Sequence, residues 1–541
     1  MCRYFLALFL FIGYHDSMVS QNTIGVLLNS ERASEGYTLY TPIQYTSSYL
    51  IDNCGQVINQ WDSEYSAGLA SYLLPGGRLL RAGRNANSGF SSAGRGGILQ
   101  IFNWDGTLDW EAVVDDDTYG AHHDVEPTSY GTILLLRWER RTEAEYIQAG
   151  KNPDWIPANL WMPSVVEIRP TIMGEFDIIW EWHLFDHLVQ SFDPSKDNFG
   201  LPSENPRKMD INYENLTITD WAHCNSIMLN EDRNELIISA RNLNEVWILD
   251  HSTSSLEAAL DIGGNQGLGG QFLARFGNQN TYLEEDVELL FDGQHDVKIF
   301  NDENDDLVLQ VFSNNISTIK KSQIIEVRPI LDASGRYLLR DNRFEIAEDT
   351  FRLESNDDLD FNSKIMSSVQ NLPNGNKLIN SGNDSKFFEI TPQEELVWQY
   401  VGPVSLFGPN PQGSEITGST FNLIKYPSDD PIFDGLDTSV KAEAIEINPN
   451  LVNCGIVSST NIVNFNIEVY PTLFDQQLTL ENRNAESLYI ECFDLIGNRK
   501  FASEFHGNLN INTANWAEGI YIIKVNQDDA FQTFRVIKTS Y

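Results

Sequence analysis

Three short strings carry the histidines best placed for chemistry: HHD at 122–124, HCN at 223–225 and QHD at 294–296. Each opens the first apolar run of what reads as a β-hairpin, so His122, His123, His223 and His295 stand at one recurring point of a repeated unit. Of the other five, His15 lies in the apolar N-terminus and His506 near the C-terminus, while His183, His187 and His251 follow strand ends or sit beside acidic residues. In the hairpin that His223 begins, NEDRN at 230–234 reads as the turn; centred on Asp232, it sets Arg241 directly across from His223. Opposed residues of an antiparallel pair share a face, with Cβ atoms about 4.5 to 5.5 Å apart. Two cationic donors then point the same way, which is mildly unfavourable unless an anion lies between them.

A histidine with the ordinary pKa of about 6.5 can attack through its neutral ring while a second one donates a proton. A guanidinium grips an oxyanion with a planar fork of donors. Together these groups describe a pocket for a sulfate or phosphate ester. Two blander readings compete. A single buried histidine is usually a polar residue satisfied by the Asp or Asn that follows it, although three at one point of a repeat weaken that reading. A metal site could use the imidazoles with Asp124 and Asp296, but Arg241 at hydrogen-bonding distance would repel a cation. No P-loop, kinase signature or Cys-x-Pro-x-Arg stretch occurs. Sulfate esters carry less charge than phosphate monoesters, so transfer could proceed without a divalent metal, and no cofactor is expected.

The elements that would position these residues are strands. A short strand enters a polar turn, a second apolar strand leaves it, and a further segment ends in Trp; residues 367–400 give the clearest copy, with others at 72–110 and 122–182. The hairpins at 221 and 293 continue the series. Period-2 apolar runs and frequent Gly, Asn and Asp turns make the class all-β. Units of roughly 45 to 70 residues, each with strands for one small sheet, suit the blades of a β-propeller, about six in number; a β-solenoid would want shorter and more regular repeats. The innermost strands of a propeller line its axis, so the histidines are expected to face one another. The expected organisation is a signal peptide at 1–20, an N-terminal β segment at 21–66, the propeller at 67–426, a linker at 427–456 and a C-terminal β-sandwich at 457–541 with about seven strands. The early string YLIDNCGQVINQW at 49–61 either completes a blade or belongs to a separate N-terminal domain. Most aromatic residues repeat at blade-core positions, which favours packing over ligand stacking.

With 77 acidic against 36 basic residues, a net charge of -41 excludes nucleic acid and anionic membrane as expected partners. One Arg followed by the apolar run from Tyr4 to Gly13 reads as a cleaved secretory signal, and no later run is long enough for a transmembrane span. The mature protein is expected to be exported. Four cysteines remain after the signal: Cys54, Cys224, Cys454 and Cys492. Cys54 and Cys454 share an NCG context and could staple the two ends of the main domain, but four cysteines allow three pairings. The absence of CxxC or clustered Cys/His spacing makes structural zinc improbable.

Four stretches, DWAHCNSIMLNEDRNELIISARNLNEVWILD, HHDVEP with GTILLL, GQHDVKIF, and LPNGNKLINSG with FFEITPQEELVWQY, carry a resemblance from about Gly36 to Val401. They are similar to the bacterial arylsulfotransferases that need no PAPS. That resemblance implies a six-bladed propeller behind a small N-terminal β-domain, and transfer of a sulfo group from a phenolic sulfate donor to a phenol acceptor through a sulfohistidine. By motif, His295 would be the nucleophile, while His223 and Arg241 would stabilise the sulfuryl oxygens and the leaving phenolate. A further channel histidine falls on HHD: matching HHD to HCN selects His122, and matching it to QHD selects His123. A surface propeller that binds sulfated or acidic glycans without reacting, or an aryl sulfatase using water, are the alternatives. Near the C-terminus, VYPTLFDQQLTL, CFDLIGNRK, AEGIYIIKV and FRVIK resemble the sorting domain of type IX secretion cargo, with YPTL at Tyr470 to Leu473 in place of the usual YPNP. The type IX secretion machinery is then the implied partner.

Overall fold

The structure, a computed structural model, describes residues 22–449 and 467–539 apart from short stretches at 44, 158, 214–217, 284–286, 316–320, 349, 358, 416–417, 472, 483–486, 495–498 and 528–529. The expected signal peptide and Cys454 lie outside the described residues. Two compact units divide the chain, the first reaching Gly455 and the second beginning at Ile456.

The first unit is all-β. Among its described residues are six antiparallel sheets of four or five strands. Their first strands are β1 (Ala67–Leu74), β2 (Tyr119–Pro127), β3 (Cys224–Asn230), β4 (His295–Asn301), β5 (Ser368–Asn371) and β6 (Thr420–Pro427). Each touches the next in sequence, and β6 touches β1, so the six close into a ring. In four sheets the later strands follow one another in chain order.

Strands from early and late in the first unit build the closure. Strand Gly36–Pro42 pairs antiparallel with β6, from Gly36 opposite Pro427 to Pro42 opposite Thr420, and strands Ser47–Ile51 and Val57–Asp62 complete that sheet. Strand Gly25–Asn29 adds to the edge of the β5 sheet beside Leu396–Val401. Residues 21–66, set apart by the sequence as an N-terminal segment, are thus hydrogen-bonded into the main unit. The reason is physical: β6 alone has no following strand in its sheet, and the early strands supply the partners for its backbone N–H and C=O groups. The expected linker at 427–456 is similarly anchored through its described part. Phe433 is buried against Tyr37 and Trp104, and Ala442 bridges to Val57.

Two devices hold neighbouring sheets together. Outer-strand tryptophans donate their indole N–H to a carbonyl of the next sheet: Trp61 to Asn103, Trp110 to Ile172, Trp182 to Gly270 and Trp398 to Asn53. All four rings are buried, as the recurring Trp suggested, and truncating such a ring typically costs about 3 to 5 kcal/mol. Along the ring, side chains accept backbone N–H groups from the following strand: Asp124 from Ile227, Ser226 from Val297, Asp296 from Val369 and Ser368 from Leu423. The carboxylates weighed as metal ligands are therefore already engaged as braces between strands.

The second unit has eight strands among its described residues, in a three-stranded and a five-stranded sheet that share one apolar core containing Leu480, Ile490, Ile511 and Ile523. Cys224 and Cys492 are free buried thiols, whereas Cys54 is disulfide-bonded.

Candidate active site

The same backbone irregularity opens four of the ring strands. Pairing with the second strand slips between Ala67 and Ser71, opposite Leu135 to Arg137, between Cys224 and Ser226, and between His295 and Lys298. At or beside these bulges stand non-glycine residues with positive φ: Leu69 at 122°, His123 at 54°, His223 at 46° and Asp296 at 52°. Such backbone is costly for L-residues and persists only where the surroundings enforce it. A bulge re-aims the side chain next to it, and here Leu69, His123, His223 and His295, one at each slip, line one cavity.

That cavity, of about 450 Å³, is lined by His123, His223, His295 and Arg241. Larger hollows elsewhere, such as one of about 890 Å³ around Lys298 and Phe300, contain no histidine. His123 and His223 meet edge to face with ring centroids 4.6 Å apart. His122 does not reach the cavity. Its ring stacks on Trp138 at 4.2 Å behind His123, with the two Nδ1 atoms 2.9 Å apart. Of the HHD pair, His123 is therefore the one that faces the space.

The hairpin of β3 places Arg241 through a compensated offset. Its strands pair Asn230 with Glu235, one residue out of step with a turn centred on Asp232. The bulge at Cys224 and Ser226 takes up the difference, so Arg241 still ends opposite His223, its N–H donating to the His223 carbonyl at 3.3 Å. Arg241 opens a single 3-10 turn, Arg241–Leu243, and its Nη1 donates to Asn242 Oδ1 at 3.0 Å. Burial draws its pKa below the ordinary value, partly offset by the charges of Asp292 and Asp220.

Each of the three cavity histidines is held differently. His295 Nδ1 lies 2.8 Å from Asn314 Oδ1, and Asn314 Nδ2 donates to the carbonyls of Ser363 and Met366. Since that amide has its N–H groups committed, Nδ1 of His295 must donate, which leaves the lone pair on Nε2. Met366 N–H points at Nε2 from 3.1 Å. Burial, reinforced by Arg241, pushes the His295 pKa down to about 3, so the ring is neutral near pH 7. His123 is also driven well below its ordinary pKa, first by burial and then by His223 and His122. His223 has a carboxylate partner, Asp220 Oδ2 at 2.6 Å from its Nδ1. Asp220 accepts further bonds from Trp138 Nε1 at 2.8 Å and Ser92 Oγ at 3.0 Å. Burial works against its charge, but the bonds from His223 and Trp138 prevail and hold its pKa below the usual value.

The remaining described internal histidines are occupied elsewhere: His183 with Glu139, His187 with the Ala258 carbonyl, and His251 with Asn234 and Glu167. Several site residues escaped the sequence reading. Asp220 lies inside the quoted string DWAHCN and could have been found by its spacing of three from His223. Asn314, Met366, Arg84 and Arg95 come from segments with no motif, and Arg84 and Arg95 also line the cavity. Gly94, with φ of 82°, lies so close above His123 that a Cβ there would come within 2.0 Å of its ring.

Comparison with known families gives two matches. A family model described as Arylsulfotransferase (ASST) matches residues 72–402, and one described as Secretion system C-terminal sorting domain matches residues 468–539. No curated protein matches the chain. Solved structures that resemble it include a protein of unknown function from Bacteroides caccae, 11% identical over 71% of this chain and 98% of that one, with a TM-score of 0.37. A periplasmic gluconolactonase from Pseudomonas aeruginosa is 11% identical over 72% and 99% of the two chains, also at 0.37. A streptogramin B lyase is 11% identical over 71% and 84%, at 0.34. The sorting domain marks the chain for export by type IX secretion, to be released or attached at the cell surface. Among the described residues no helix is long and apolar enough to cross a membrane.

Proposed function

The chain belongs to the arylsulfotransferase (ASST) family, and on that premise we propose that it moves a sulfo group from a phenolic sulfate ester to a phenol, in two steps through a sulfohistidine at His295. In this reading the six sheets are the blades of a β-propeller and the cavity is the mouth of its axis. The observation that carries the proposal is the meeting of His123, His223, His295 and Arg241, from three consecutive sheets, around one cavity.

His295 Nε2 attacks sulfur while its Nδ1–H rests on Asn314, which keeps the attacking lone pair on the correct nitrogen. To free that lone pair, the Met366 N–H gives way to the incoming ester. As the sulfur–oxygen bond to the donor breaks, His223, held through Nδ1 by Asp220, gives its Nε2 proton to the departing phenolate. The acceptor phenol then returns a proton to His223 Nε2, and its oxygen takes the sulfo group from His295. Protons and charges balance over the cycle, with no cofactor consumed. Arg241 and the His123 ring face the sulfuryl oxygens, where charge is redistributed in the transition state.

The test uses the full-length protein and an aryl sulfate, with and without added phenol. Phenol-dependent turnover, with an acid-labile sulfo adduct on the peptide holding His295 in the absence of acceptor, is the expected result. Turnover independent of phenol would make the protein a sulfatase. Absence of both turnover and adduct would leave a binding protein and overturn the proposal.

A further inference from the structure

Two arginines beside the histidines take no part in the transfer described above. Arg84 ends the strand Arg78–Arg84, the second of the β1 sheet, and Arg95 lies in the loop that follows it. Both line the cavity together with Arg241, and no Asp or Glu lines it, in a chain where acidic residues outnumber basic ones by 77 to 36. The side chain of Arg84 is exposed, and among the described residues it makes no ion pair or hydrogen bond. Arg95 is half-buried; its Nη1 reaches the Phe90 carbonyl only at 3.4 Å, and its Nε is buried without a partner. The carboxylate that feels its charge, Asp115, is already taken up by Ala121 N–H at 2.7 Å and by Asn85.

Three guanidiniums around one partly desolvated space repel each other unless anions join them. The sulfate monoester of the proposed reaction brings a single negative charge, which Arg241 beside His295 can meet. The same wall carries apolar side chains, Ile43, Leu69 and Ile365, suited to an aromatic ring. The charge of Arg84 and Arg95 is then left for a second anionic group on the ring of the bound ester.

We propose that Arg84 and Arg95 form a second anion subsite, which selects aryl sulfates and phenols bearing a carboxylate on the ring. This inference rests on the transferase reading and narrows its substrates. A guanidinium–carboxylate pair at a cavity mouth that contributes tenfold corresponds to about 1.4 kcal/mol.

The experiment compares para-carboxyphenyl sulfate with para-methylphenyl sulfate as donors to the same phenol, in the wild type and in the double variant Arg84→Gln, Arg95→Gln. The two esters differ in intrinsic reactivity, but the change of their kcat/KM ratio on substitution cancels that difference. The expected result is an approximately tenfold fall in the ratio, mostly in KM, with each single variant in between. An unchanged ratio overturns the subsite, including the case in which both arginines serve the sulfuryl group and both esters slow equally. If the wild type turns over neither ester, the transferase reading fails instead. Calorimetric binding then decides the subsite: weaker para-hydroxybenzoate affinity in the variant, with para-cresol unaffected, sustains it, and equal affinities overturn it.

Discussion

The half of the ring formed by β2, β3 and β4 and the half formed by β1, β5 and β6 solve one backbone problem with different side chains. Bulges re-aim residues in β2, β3 and β4, and the same slip occurs in β1 at Leu69. One half presents His123, His223 and His295 to the cavity; the other presents Leu69, Met366 and Ser419. Braces from side chain to backbone run through both halves, from Asp124, Ser226, Asp296 and Ser368. The comparison separates what the ring needs from what the chemistry needs. Bulges and braces serve closure and recur on both sides, whereas the histidines proposed as nucleophile and acid–base groups are confined to three consecutive strands.

Replacing side chains on the reactive half should therefore remove activity without opening the ring. His295→Ala has the largest expected effect: no detectable transfer and no sulfo adduct by intact mass, with melting still cooperative. Normal activity in that variant would end the mechanism. Arg241→Ala is expected next, with transfer lowered about 100 to 1,000-fold, the scale for losing a donor to developing charge, measured as kcat with an aryl sulfate whose ring carries no further charge. Should it instead raise KM alone, Arg241 would merely hold the ligand still.

The contrast sharpens within a single string. His123 and His122 are neighbours, yet one borders the cavity and the other stacks on Trp138. His123→Phe is expected to lower kcat by at least about tenfold, within the range for losing a positioned polar group near reacting atoms. His122→Phe keeps a ring against Trp138 and removes a buried Nε2 that has no partner; its expected kcat lies within about threefold of wild type, because it acts only through the Nδ1 contact to His123. Equal losses in the two variants would erase the distinction between the facing and the backing ring.

How much of this was legible beforehand follows the locality of each signal. The histidines could be read because they recur at one point of a repeat, and the repeat itself marks an all-β chain. The opposition of His223 and Arg241 was also readable, though through a cancellation: the turn is offset by one residue and the bulge restores the register. His122 and His123 could not be separated, since successive residues on a strand face opposite ways and one bulge exchanges the faces. Strand Gly36–Pro42 finds its partner in β6, at the far end of the unit, and no local pattern announces such a pairing. Arg84 and Arg95 were hidden for a similar reason: they come from a strand end and a loop, where a charged residue ordinarily signals only solvent.

The smallest expected effect concerns the backing ring and acid. Burial pushes the His122 pKa down to about 3, below an unfolded value of about 6.5. Between those limits the unfolded chain binds the proton and the folded chain refuses it, so stability drains away as pH falls below about 6.5. The loss for one such group approaches about 1.4 kcal/mol per pH unit and does not depend on how far the folded pKa is depressed. Other buried groups oppose it: Asp124, lifted to about 7 by burial, binds its proton more tightly in the folded state. The whole-protein profile therefore mixes signs, and only a difference isolates the histidine. Melting temperatures of His122→Phe and wild type should diverge in favour of the variant as pH is lowered from about 6.5 to about 4, and should keep a constant gap above about 7. A gap independent of pH throughout would mean that the folded ring behind His123 takes up its proton as readily as the unfolded chain does, so that burial would not keep His122 neutral in acid.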